Sequence, residues 1–165
     1  MGADLTYFLN EPIGAGLKFG LFKSSNSLSN IYRDNADGSR SYGSMSDDVS
    51  VFFIGPAFTT RIMAHDKRNA FLMNMALGYI GYSNDKVIID KYKMTGNTIG
   101  LVFDLGYDFG LSENLSLGVQ VSMITGTLTK YDWTDGFTTE SVELDNDEYE
   151  SLSRIDLSVG LRFGK

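Results

Sequence analysis

Apolar and polar residues alternate with a period of two in segment after segment of this chain. From Ile99 to Leu111 the odd positions are Ile99, Leu101, Phe103, Leu105, Tyr107, Phe109 and Leu111. Between them stand Gly100, Val102, Asp104, Gly106, Asp108 and Gly110. Successive side chains of a strand point to opposite faces, so the pattern predicts a strand with one bulky apolar face and one face of small or charged residues. Leu115 to Met123 and Ile155 to Phe163 repeat it, the latter against Arg154, Asp156, Ser158, Gly160 and Arg162. So do Phe71 to Tyr79, Phe52 to Phe58, Ala15 to Leu21 and Ala3 to Tyr7. Seven strands are predicted, and no helical period competes over a comparable length.

The connections alternate in length. Asn10–Pro12, His65–Arg68 and Ser112–Asn114 read as tight turns. Ser25 to Asp47, Ser83 to Lys93 and Asp132 to Glu150 read as long polar loops. Short turns at one end and long loops at the other predict an up-and-down antiparallel sheet. No linker interrupts it, so residues 1–165 are expected to form a single domain. An extra hairpin around Val87, Ile88 and Ile89, within Asp85 to Lys93, is the less favoured reading of that stretch.

Alternation does not say which face looks inward. A soluble lipocalin-like barrel turns its apolar face inward around a ligand. A transmembrane barrel turns it outward to lipid. Volume favours the second, because the interior of an eight-stranded barrel is just wide enough for side chains to fill. The bulky Phe, Tyr, Leu and Met face does not fit there, whereas the Gly, Ser, Thr and Ala face does. Asp4, Lys18, Arg61, Asp104, Asp108, Arg154, Asp156 and Arg162 all fall on the small-residue face. Buried charges without partners are costly, so these acids and bases are expected to form a paired network in the lumen. The best alternating runs reach the roughly 9–11 tilted residues that a membrane strand needs. Tyr7, Tyr79, Tyr107, Phe109, Tyr131 and Trp133 near segment ends suit an aromatic girdle. Single-chain bacterial barrels have an even strand number. Seven strands are therefore expected to lack the first strand of an eight-stranded barrel, which would precede Met1.

Composition sharpens this picture. A mean hydropathy of −0.11 suits an ordinary soluble domain, but it averages two unlike faces. The 18 Gly against 2 Pro, with 11 Phe and 9 Tyr, fit a narrow barrel better than a helical domain. A net charge of −7 argues against a nucleic-acid partner. The absence of Cys excludes a disulfide scaffold and a thiolate metal site. Met1 is followed by Gly2, Ala3 and Asp4 rather than by a basic and then apolar leader. The chain is thus expected to be either cytosolic or a mature or cropped form.

Little catalytic chemistry is on offer. His65 is the single His and sits in a turn with no nucleophile beside it. Asp104 and Asp108 share a face, but ion pairing with Lys18, Arg61, Arg154 or Arg162 is the simpler reading. The last long loop is acidic. Glu143, Asp145, Asp147 and Glu148, with Asn146, offer oxygen ligands for weak Ca²⁺ binding, without the spacing of an EF-hand. A solvated acidic loop is the plainer reading. No cofactor, metal or catalytic residue is assigned.

Gly2-Ala-Asp-Leu-Thr-Tyr-Phe-Leu, Gly14-Ala-Gly-Leu-Lys-Phe, Phe53-Ile-Gly-Pro-Ala-Phe with Arg61, and the ending Arg154-Ile-Asp-Leu-Ser-Val-Gly-Leu-Arg-Phe carry a resemblance. Over its whole length the chain resembles the outer-membrane β-barrel domain common in Bacteroidota-type bacteria, itself similar to OmpA/OmpX-type barrels. Members usually end on an aromatic residue, whereas here Gly164 and Lys165 follow Phe163. The resemblance implies a Gram-negative outer membrane, its lipid as surroundings, and the barrel-assembly machinery as a partner during insertion. The expected role is structural or surface-binding, with a filled lumen and extracellular loops facing an unspecified ligand. A narrow porin-like channel and a soluble lipocalin-like carrier are the alternatives.

Overall fold

The computed structural model describes residues 1–34, 40–65, 68–88, 90–145 and 147–164. Among them there is no helix. The strands are β1 (Gly2–Asn10), β2 (Ile13–Asp34), β3 (Arg40–Met63), β4 (Ala70–Ile88), β5 (Asp90–Ser112), β6 (Leu115–Leu128), β7 (Lys130–Thr134), β8 (Thr139–Glu143), β9 (Glu150–Ser151) and β10 (Arg154–Phe163). The main path runs β1-β2-β3-β4-β5-β6-β10, each strand antiparallel to the next. This is an up-and-down antiparallel sheet, and it is not closed: β1 and β10 are its two edges.

The seven expected strands form this main path, but three further strands occupy what polarity marked as the last long loop. β7 pairs with β5 and β8, and β9 pairs with β6. The other two long loops are largely strand as well. Ser25 pairs with Asp48 and Tyr32 with Tyr42, so the β2–β3 ladder runs far into the polar stretch. Lys86 pairs with Tyr92 and Val87 with Lys91, so Asp85 to Lys93 is the tip of the β4–β5 hairpin and adds no separate element. Ile89 lies outside the described residues. The reason is physical: backbone hydrogen bonds propagate a hairpin whatever its side chains, whereas polarity reports only where the apolar belt ends.

Side chains divide between two faces. Along β5, Val102 is 1% exposed and Asp104 2%, whereas Phe103 between them is 36% exposed. The buried cluster of Phe53, Ala57, Ala76, Ile80, Val102 and Ile124 lies on the small-residue face of β3 to β6. The inward positions of β1 and β10 are more open, because an edge strand has a neighbour on one side only. The sheet curls strongly. Lys18 of β2 reaches Asp104 of β5 at 2.9 Å past two intervening strands. The Arg154 guanidinium of β10 lies 4.5 Å from the Phe22 ring centroid of β2.

A stripe of glycine lets the sheet bend. Gly78 pairs with Gly100, and Gly100 with Gly126. Gly55 stands opposite Gly78, bracketed by the Ile54–Tyr79 and Ala57–Ala76 pairs. Ile80 fills the space a side chain would take at Gly126, its Cδ1 lying 2.7 Å from where a Cβ would stand. At Gly100 a Cβ would come within 2.6 Å of the Thr125 carbonyl oxygen, a backbone atom that cannot swing away. Gly100→Val should therefore lower stability by about 1–3 kcal/mol through overpacking. Denaturant titration checks this, and an unchanged midpoint would mean the stripe is not tightly packed.

A candidate interior charge network

Alternation places the charged residues of β1, β2, β3, β5 and β10 on the concave face, and the curl brings them together. The Lys18 ammonium lies 3.0 Å from Asp4 Oδ1 and 2.9 Å from Asp104 Oδ2. The Asn74 amide also donates to Asp104 Oδ2, at 2.9 Å. The Thr59 hydroxyl donates to Asn74 Oδ1 at 3.3 Å, and Thr6 and Thr59 share a hydroxyl contact of 3.4 Å. Both donors to Asp104 converge on one oxygen, and Oδ1 is buried without a hydrogen-bond partner.

A second centre lies nearer the short turns. Arg162 donates to Asp108 Oδ1 at 2.9 Å and to Gln120 Oε1 at 2.6 Å. Gln120 passes the chain on, its amide donating to Ser122 Oγ at 3.0 Å. A third pair is local to β10, where Arg154 Nε donates to Asp156 at 2.8 Å. Arg61 is held differently. Its guanidinium lies 4.0 Å from the Phe8 ring centroid, and its Nε is buried without a hydrogen-bond partner. An aromatic face attracts a cation through its quadrupole, so Phe8 and Phe22 supply part of what a carboxylate would.

Charge counting alone overlooks the neutral members Asn74, Thr59, Gln120 and Ser122. Their inward parity on β3, β4 and β6 was the available signal. Phe8 and Phe22 also fall on the inward parity, where bulky rings are exceptional.

The six candidate girdle aromatics do not lie in one ring. Tyr107 and Phe109 are exposed near the short turns, their ring centroids 4.9 Å apart, and Tyr7 is exposed toward the same end. Tyr79 is exposed at a higher level and packs against Phe52 at 5.6 Å. Tyr131 and Trp133 are half-buried in β7, where Trp133 stacks on Tyr92 at 5.3 Å. The β7–β8 hairpin draws them out of the exposed belt.

The acidic stretch is dispersed by the same hairpin. Glu143 pairs with Lys130 across β7 and β8. The Glu148 N–H donates to the Asp145 carbonyl at 2.8 Å, while Asp147 is exposed and Asn146 lies outside the described residues. Among the described residues no three potential metal ligands cluster. His65 is exposed in its turn, and Asp66 and Lys67 lie outside the described residues.

Asp135 closes the β7–β8 turn. Its Oδ1 accepts the Phe137 and Thr138 N–H groups, each at 2.8 Å, while Gly136 takes a φ of 93°. The Thr138 and then the Phe137 N–H hold the Asp135 carboxyl below the usual carboxylate range. No family model, curated protein or solved structure matches this chain.

Two outcomes follow from these contacts. Lys18→Met leaves Asp104 buried without its cation and should cost about 3–5 kcal/mol in unfolding. Lys18→Met with Asp104→Leu should recover part of that, because the deeply buried pair is then gone and only the part-exposed Asp4 loses its cation; urea midpoints of the two variants decide it. At Asp135 the folded carboxyl titrates below its unfolded value. Its support for the turn is therefore complete above the ordinary carboxylate range and is lost as pH falls through the depressed value. Amide exchange at Phe137 and Thr138 should accelerate in that acidic window, and at neutral pH in Asp135→Ala.

Proposed function

We propose that this chain spans a bacterial outer membrane as a small up-and-down β-barrel similar to the OmpA/OmpX type. The carrying observation is its sidedness. Large apolar residues cover the outward face of every main strand, whereas ion pairs and glycine occupy the concave face. Leu157 of β10 is 75% exposed, yet its neighbour Asp156 is bound to Arg154 on the inward side. Soluble monomers rarely expose apolar patches beyond a few hundred Å². In lipid such a band is favourable, and antiparallel strands satisfy their backbone groups within the sheet.

β1 and β10 run in the same direction, since six successive antiparallel pairings separate them. One further strand, antiparallel to both, would close the barrel and remove two edges that hydrocarbon does not tolerate. The role proposed is structural or surface-binding rather than transport. Phe53, Ile80 and the Lys18–Asp104 bridge fill the concavity, which leaves little room for a solute path.

Reconstitution into vesicles tests this reading. The protein is expected to float with the lipid, resist alkaline extraction and shift on a gel when heated. It should give no steady single-channel steps in planar bilayers. Steps of constant conductance would favour the narrow channel instead. A folded monomer that stays in solution without detergent would favour the lipocalin-like carrier.

A further inference from the structure

The outward face of β3, β4 and β5 changes character along its length, and two depressions mark the change. The upper one has a volume of about 370 Å³. Its top is a cross-strand row of Ser50, Ser83, Thr95 and Asp132. The next row down is Phe52, Gly81 and Asn97, and below it stands Tyr79. Gly81 has no side chain, and the Phe52 ring lies over it in the space a side chain would take. The Phe52 and Tyr79 rings, tilted by 43° to each other, form the lower wall.

The second depression, also about 370 Å³, lies on the same strands toward the short turns. Pro56, Phe58, Met75, Leu77 and Leu101 line it, with no charged residue. Gly81 and Leu77 are four strand positions apart, about 13 Å. An aromatic-walled depression with a polar upper rim thus sits directly above an apolar groove, at the level where the outward face turns from polar to apolar.

We propose that this face binds a glycolipid, with an uncharged sugar headgroup in the upper pocket and an acyl chain in the groove. The pocket has the chemistry of sugar recognition. Aromatic faces carry negative potential that attracts the polarised C–H groups of a sugar ring. Hydroxyl, amide and carboxylate side chains around them take its hydroxyls. Neither Lys nor Arg lines the pocket, and Asp132 is acidic, so a phosphate headgroup is disfavoured. The groove selects a lipid-borne sugar over a free one, because its apolar lining gains only from a hydrocarbon chain. This proposal rests on the membrane-spanning reading above.

The test uses the folded chain in phosphatidylcholine nanodiscs with monogalactosyl diacylglycerol added. Gel mobility on heating first establishes that the protein is inserted. Glycolipid retained on the protein is then read by native mass spectrometry, and contact by the amide shifts of Gly81 and Asn97. The glycolipid should be retained about tenfold over phosphatidylcholine. Asn97→Ala with Ser83→Ala, both at solvent-facing hydrogen-bonding positions, should remove most of that preference without changing the heat shift. Gly81→Val, which would push the Phe52 ring out of the depression's wall, should abolish the Asn97 shift. Equal retention of the two lipids by inserted protein would overturn the proposal while leaving the barrel reading intact. Equal shifts with methyl galactoside would overturn the lipid source, and equal retention of phosphatidylglycerol would overturn the neutral headgroup. Failure to insert would remove the membrane reading and this proposal with it.

Discussion

A curled sheet has less room on its concave face than on its convex face, and every strand of the main path obeys that limit. The concave positions carry Gly, Ala, Thr, Asn, Ser and charged residues, with a few large side chains placed where glycine makes space. Ile80 occupies the space above Gly126. Leu128 uses Gly96 in the same way, its Cδ1 lying 2.8 Å from where a Cβ would stand on that glycine. Exchanging the two faces would force Leu, Phe and Met side chains of six or more strands into a space already filled. The curvature, the glycine stripe and the apolar exterior are thus one constraint expressed three ways.

That constraint also governs the charges. Ionisable side chains driven onto a tight concave face must find partners there, because an isolated buried charge costs several kcal/mol after relaxation. Lys18 is long enough to span the concavity and binds carboxylates from β1 and β5 together. It ties the first edge of the sheet to its middle. Arg162 does the same between β10 and β5, and Arg154 extends from β10 to the ring of Phe22. The polar interior is therefore a set of cross-braces that hold an open sheet in its curl.

Above the apolar belt the hairpins continue as paired strand, and their stability rests on local contacts. The β7–β8 turn is an example. Asp135 collects two backbone N–H groups, and the Thr134 hydroxyl donates to the Thr138 carbonyl at 2.7 Å. A connection of three to five residues containing Gly marks a hairpin, and Asp135 to Thr138, with Gly136, is such a connection. The overall acidity of residues 132–150 obscured it. The same confusion of polarity with loop hid the upper parts of β2, β3, β4 and β5.

The seven main-path strands, their facing and their antiparallel order follow from the amino-acid sequence alone. Side-chain parity along an extended chain is fixed by its geometry, and short turns leave neighbouring strands little choice of partner. The inward placement of Asp104, Asp108, Lys18 and Arg162 was legible for that reason. Which acid meets which base was not. Lys18 and Asp104 are separated by two strands, and their contact depends on register and curvature, which are summed over four strands. The union of a polar-rimmed depression with an apolar groove on β3 to β5 is likewise a product of register. It required Ser50, Ser83, Thr95 and Asp132 to fall into one row, and only the tertiary pairing aligns residues so far apart in the chain.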